Sequence, residues 1–92
     1  MHTAIQTWDL HLEGCHSLKE KRAVLQSLKA GLRRLNLSVS EVEHQDLWQR
    51  AGIAAAAVGS DRRVVDQLLH QADRVIETVD GVRILETAVT RL

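Results

Sequence analysis

The chain has 92 residues, of which 45% are hydrophobic and 26% charged, which suits one folded domain with one modest core rather than a disordered segment. Twelve Lys/Arg balance twelve Asp/Glu, so overall charge favours neither nucleic acid nor a cationic partner, and any such case must rest on local charge. A single Cys15 excludes an internal disulfide framework and a Cys-rich zinc or iron–sulfur site, and no stretch approaches the roughly 20 apolar residues that span a bilayer.

From Ala4 to Glu13 the residues alternate: Ala4, Trp8, Leu10 and Leu12 share one side, against Thr3, Thr7, Asp9, His11 and Glu13. A period of two predicts a half-buried strand with Trp8 as a core anchor, and Ile5 and Gln6 break the pattern. Gly14 to His16 connects it to Ser17-Leu18-Lys19-Glu20, a capping box. The serine oxygen accepts an amide of the first turn and Glu20 reaches back to the Ser17 N–H. Leu18, Leu25, Leu28, Leu32 and Leu35, joined by Val24, recur at helical spacing and predict a helix from Leu18 to Leu35, ended by Asn36.

Leu37 to His44 reads as a strand with a bulge or twist, and Gln45 to Arg50 as a short excursion. Gly52 to Gly59 contains four consecutive alanines, which favour helix, but eight residues bracketed by glycine are too short for a packed helix. It reads as a central strand whose alanines let helices approach closely. Ser60 or Asp61 caps a second helix with Val65, Leu68, Leu69, Ala72, Val75, Ile76 and Val79 on its apolar face and Asp66, Asp73 and Glu77 opposite. Asp80-Gly81 turns the chain into a last strand, Val82 to Val89. The order β-α-β-β-α-β over residues 1–92 predicts a single ferredoxin-like, split βαβ α+β domain. Two helices cover one face of a four-stranded antiparallel sheet, and the first and third strands are central. So small a domain, with one sheet face open, is expected to gain from self-association, most simply as a homodimer.

Chemistry concentrates in two places. On a projection of about 100° per residue, Lys19, Arg22, Lys29 and Arg33 fall in one arc beside the apolar stripe, with Arg34 farther round and Glu20 the only acid between Ser17 and Arg34. Such a face suits phosphates or an acidic protein surface, and it is also what a solvated helix flank looks like. Lys21 points instead into the apolar arc, where it snorkels, pairs with an acid or lines a pocket. The second concentration is His44, Gln45, Asp46, Trp48, Gln49 and Arg50, either a functional loop or one fixed by Trp48 burial and an Asp46–Arg50 bridge.

Other groups are weaker. Asp9, His11 and Glu13 share one side of a strand, and Glu41 and Glu43 a face of the adjoining hairpin, which is also the pattern of a solvated sheet face. Neither they nor Cys15 beside His16 form a recognisable catalytic or metal set, so no catalytic residue, metal ligand or cofactor is assigned. Gly52 to Gly59 lacks the Gly-Lys-Ser/Thr ending of a phosphate loop. With no Phe or Tyr, the sheet lacks the aromatic platform of RRM-type RNA binding, so an RNA role must use a helix, a loop or a dimer groove.

Two blocks, Cys15-His-Ser-Leu-Lys-Glu-Lys-Arg22 and Asn36-Leu-Ser-Val-Ser-Glu-Val-Glu-His-Gln-Asp-Leu-Trp-Gln-Arg50, resemble the YlxP-like, or DUF503, family of small bacterial proteins, and the likeness runs through nearly the whole chain. The resemblance implies a ferredoxin-like fold, a bacterial cytoplasmic setting and, because members are often encoded near translation or ribosome-maturation factors, an RNA or ribosomal connection. It implies no catalytic roles. The matching positions are Ser17, Leu18, Lys19, Lys21 and Arg22, then Glu41, Gln45, Asp46, Trp48, Gln49 and Arg50.

The leading expectation is thus a non-enzymatic interaction module binding ribosomal RNA or a ribosome-associated protein through the basic helix and polar loop. The alternative is a small-ligand sensor or regulatory homodimer with a groove between subunits, bounded by Trp48. An enzyme using His44 or the Asp9/His11/Glu13 group is a third reading. No DNA-specific motif and no membrane segment is read in the chain.

Overall fold

A computed structural model describes residues 1–92, with strands β1 (His2–Leu12), β2 (Ser38–Glu43), β3 (Arg50–Gly59) and β4 (Val82–Arg91) and helices α1 (Leu18–Arg33) and α2 (Arg62–Glu77). The sheet order is β2-β3-β1-β4, antiparallel throughout, as the split βαβ reading requires.

Inner-face residues of β1 and β3 (Trp8, Leu10, Leu12, Ala51, Ile53, Ala55, Ala57) meet Leu25, Leu28 and Leu32 of α1 and Val65, Leu69, Ala72 and Ile76 of α2 in one core. Each fully buried leucine contributes about 1.5–3 kcal/mol relative to exposure. The β3 alanines are strand residues despite their helix propensity. The side chains of Ala51, Ala55 and Ala57 lie at the sheet–helix seam, where bulk would push the layers apart, while Ala54 and Ala56 face outward. The helices also touch: a Cβ added at Gly31 of α1 would lie 2.7 Å from Val75 Cγ1 of α2.

Both caps form, with one difference in partner. Ser17 Oγ accepts from Glu20 N at 3.1 Å, but Glu20 Oε2 accepts from the His16 N–H at 2.7 Å, one residue before the predicted one. Asp61, not Ser60, caps α2 by accepting from Arg63 N at 2.8 Å. Helix α1 stops at Arg33, two residues short of Leu35, and Asn36 takes a positive φ of 65° to leave it. The β2 irregularity is a register shift against β3 between Glu41 and Glu43, and it corrects one expectation. Because the bulge intervenes, Glu41 pairs across from inner-facing Ile53 and Glu43 from outer-facing Gly52, so the two acids do not share a face.

Candidate interaction surface

The Gln45–Arg50 excursion is held from below by Lys21. Only 2% exposed, Lys21 donates from Nζ to the carbonyl oxygens of His44 and Leu47, both at 2.6 Å, and its ammonium lies 2.9 Å from Glu41 Oε2. Two carbonyl hydrogen bonds and a close carboxylate countercharge hold the ammonium, which is how a charge is kept in a core. Of the roles open to Lys21, pairing with an acid is the one adopted. It is a positioning residue that shapes the loop and presents nothing to solvent.

Further bonds complete the brace. Gln49 Nε2 donates to Cys15 O at 3.2 Å, Leu12 N to Gln49 O at 2.9 Å, and Gln45 Nε2 to Glu41 O at 3.5 Å. His44, at φ 62°, starts a tight turn closed by Leu47 N to His44 O at 3.1 Å. Cys15 itself is buried, and its thiol is pushed up by that burial and then by Glu20, with Lys21 offsetting part of the rise.

The loop is therefore not fixed by Trp48 burial or by an Asp46–Arg50 bridge. Trp48 is 51% exposed and Leu47 beside it is also exposed. Arg50 turns to the open sheet face, where its Nε and Nη2 contact the two oxygens of Asp9 at 3.3 and 2.5 Å. His44 Nε2 is 3.6 Å from Asp9 Oδ1, and a shallow cleft of about 270 Å³ opens beside them between Asp9, Glu43, Gly52 and Glu86. Asp9 is thus occupied by a guanidinium, and no group of three or more His, Cys, Asp or Glu side chains is arranged to hold a metal ion.

The basic flank of α1 contrasts with this. Lys19, Arg22 and Arg33 are exposed and Lys29 is half-buried, yet none pairs with a carboxylate, and Arg34 is equally free. Gly31, which faces α2, projects about 160° away from the centre of their arc, so the cations lie on the flank turned from the other helix. At about 1.5 Å per residue, Lys19 and Arg33 are roughly 21 Å apart along the axis. Lys21 ties the first turn of α1 to the loop, so exposed Trp48 stands at the N-terminal end of this stripe. Asp46 is exposed in the same loop. The structure thus brings the loop and the start of α1 together, while Arg50 belongs to the opposite sheet face.

Two polar residues have roles that the sequence pattern does not show. Gln6, read as a break in alternation, has the even-numbered parity of Ala4, Trp8 and Leu10 and lies under α2 at 3% exposure. Asp73, read as opposite the apolar face, accepts from Trp8 Nε1 at 2.8 Å and from Gln6 Nε2 at 2.9 Å. The available signal was the polar residue at inward parity, since a buried amide needs a partner on the element covering it.

A small ferredoxin-like protein with a braced loop and an unpaired cationic flank is the class that fold and surface define. Its family follows from comparison: the DUF503 description, a protein of unknown function, matches residues 3–89. The uncharacterized protein YlxP of Bacillus subtilis (strain 168) is 40% identical over 76 residues, covering 82% of this chain and 79% of that protein. The chain belongs to the DUF503 family. Among solved structures, the de novo designed protein Foldit4 superposes with a TM-score of 0.61 at 11% identity, over 98% of this chain and 97% of that one. A cofactor-independent oxygenase from Streptomyces nogalater, SnoaB, superposes with a TM-score of 0.58 at 10% identity, over 97% and 90%. At such identities the likeness is one of fold alone.

Proposed function

We propose that this protein is a non-enzymatic RNA-binding module, with ribosomal RNA as its first target to test, that engages its ligand through the outer flank of α1 and the Trp48 loop. The observation that carries the reading is the stripe of Lys19, Arg22, Lys29 and Arg33, none paired with an acid although the chain holds twelve Asp and Glu. Unpaired cations spaced along a rigid helix suit a phosphate backbone, whose counterions they release on binding. An exposed indole at one end suits stacking on an unpaired base. The inward-facing Trp8 and small outer-face residues such as Ala54 and Ala56 give the sheet itself no comparable platform.

The test is fluorescence anisotropy with labelled ribosomal RNA fragments at near-physiological salt. Neutralising Lys19, Arg22 and Lys29 together to Gln should weaken binding at least tenfold and flatten its salt dependence by roughly three phosphate contacts. Absence of saturable RNA binding by the unaltered protein defeats the reading, and capture of a ribosomal protein that survives RNase reassigns the surface to protein contact.

A homodimer is the second part of the proposal, favoured by an outer sheet face whose middle carries no charge: Ile5, Thr7, Ala54, Ala56 and Ala88 lie there together. Sedimentation equilibrium should give a dimer mass, and Ala56→Arg should give a folded monomer. A monomer from the unaltered chain at tens of micromolar rules it out.

A further inference from the structure

Helix α2 packs on β3, β1 and β4, but the second half of β4 stays exposed, and a cleft of about 320 Å³ opens between α2 and β4. Leu69 and Val89 form its apolar walls, and Gln6, Asp73 and Thr87 are its polar part. Bond directions in this group follow from one donor. Thr87 Oγ1 donates its only hydrogen to Thr7 O at 2.8 Å and must therefore accept from Gln6 at 2.8 Å. That contact fixes the Gln6 nitrogen toward Thr87 and Asp73, and both its hydrogens are used.

What remains is a surplus of acceptors. Gln6 is 97% buried by its 3% exposure, lines the cleft, and its Oε1 accepts from no protein group. Asp73 Oδ1 takes both the Trp8 and Gln6 bonds, while Oδ2 takes none, and no Lys, Arg or His pairs with this half-buried carboxylate. Thr87 Oγ1 keeps one lone pair. The nearby Arg91 guanidinium forms an ion pair with Asp66 at 2.8 Å, His70 also lines the cleft, and Asp73 pairs with no charged group.

Strand β1 places apolar residues at Ala4, Trp8, Leu10 and Leu12 on this face, so Gln6 is the exception. If anchoring the Trp8 indole were the whole purpose, Asp73 alone would serve. Three free acceptors, one of them anionic, beside two aliphatic walls complement one chemical group: a primary ammonium with three N–H donors on an alkyl stem. We infer that the α2–β4 cleft is a binding site for an alkylammonium group, supplied by a free aliphatic amine or by a lysine side chain. Asp73 carries the countercharge, Gln6 and Thr87 accept the remaining hydrogens, and Leu69 and Val89 contact the stem. The site lies on the α2 side of the molecule and is independent of the RNA reading.

The two tryptophans supply the test. Trp8 Nε1–H is bonded to the carboxylate that would receive the ammonium, whereas Trp48 stands on the loop, so their indole cross-peaks in a ¹H–¹⁵N spectrum are probe and internal control. The full-length protein is titrated with n-butylammonium, Nα-acetyl-lysine methylamide, tetramethylammonium and 1-butanol. Saturable movement of the Trp8 peak is expected with a primary ammonium. Trp48 should stay still, and the donor-free cation and the neutral alcohol should be at least tenfold weaker. The tighter of the first two ligands tells a free amine from a lysine side chain. Asp73→Asn keeps an acceptor for Trp8 and Gln6 and should lose at least tenfold in affinity. Val89→Lys, at a position that is already exposed, supplies a competing ammonium and should abolish the response even if Asp73→Asn fails to fold. No saturable Trp8 shift at tens of millimolar, an equal response to tetramethylammonium, or undiminished binding in a folded variant overturns the assignment.

Discussion

Lys21 of α1 and Asp73 of α2 are both charged side chains drawn toward the sheet, and the fold treats them oppositely. Lys21 is compensated, with its ammonium paired to Glu41 and bonded to two loop carbonyls. Asp73 has only the neutral donors Trp8 and Gln6, on a single oxygen. The difference teaches how to separate structure from receptivity in a protein with no catalytic motif. A charge that is paired and bonded from within is a brace, and one left without a countercharge beside an opening is poised for something from outside.

The sharpest way to break this comparison is to remove the brace. Lys21→Met leaves Glu41 without its countercharge and the carbonyls of His44 and Leu47 without their donor, and should cost about 3 kcal/mol in urea unfolding, the usual scale for one lost partner of a buried pair. It should also raise proteolysis within 44–49. A loss below about 1 kcal/mol would mean that the loop holds itself.

Gly52→Ala tests the bulge that sends Glu41 inward to Lys21 and Glu43 outward. The new Cβ would lie 2.7 Å from Glu43 Cβ and 3.2 Å from its backbone nitrogen, so β2 must shift, at about 1–3 kcal/mol by chemical denaturation. On the other side, Trp8→Phe removes one donor to Asp73 and should cost about 1–2 kcal/mol. Asp73→Asn, which keeps an acceptor, should fall within about 1 kcal/mol of the unaltered protein in the same assay. If Asp73→Asn proved as damaging as Lys21→Met, the two charges would be equivalent and the contrast would collapse.

The smallest effect concerns Cys15, beneath the braced loop. Its folded-state thiol is raised above the ordinary 9.0 by burial first and Glu20 second. From about pH 9 upward the unfolded chain releases the proton while the folded one retains it, so stability falls with rising pH over that window. Below it both states hold the proton and Cys15 adds no pH dependence. Urea unfolding at pH 8 and 10 should show a smaller decline for Cys15→Ala than for the unaltered protein.

Much of the architecture was legible because each element carries its own periodicity. Alternation marked β1, the leucine spacing marked α1, and the bracketing glycines marked β3 against the propensity of its alanines. The Trp48 loop and the basic arc of α1 were legible too, since exposed polar groups cluster locally in the chain. What could not be read were partners from distant elements. Arg50 had Asp46 within reach along the sequence and chose Asp9 across the sheet. Asp73 looked solvent-facing from its own helix because Trp8 and Gln6, 65 and 67 residues away, do not appear on a helical projection.

The sequence by itself therefore determined the element order, the buried faces and the split βαβ frame, all of which depend on residues within a few turns or strand steps of one another. Only the tertiary structure decided which charges are spent and which remain available. Filling a hydrogen-bonding valence is a matter of distance in space, and folding alone sets Lys21 beneath its loop and Asp73 beside its open cleft.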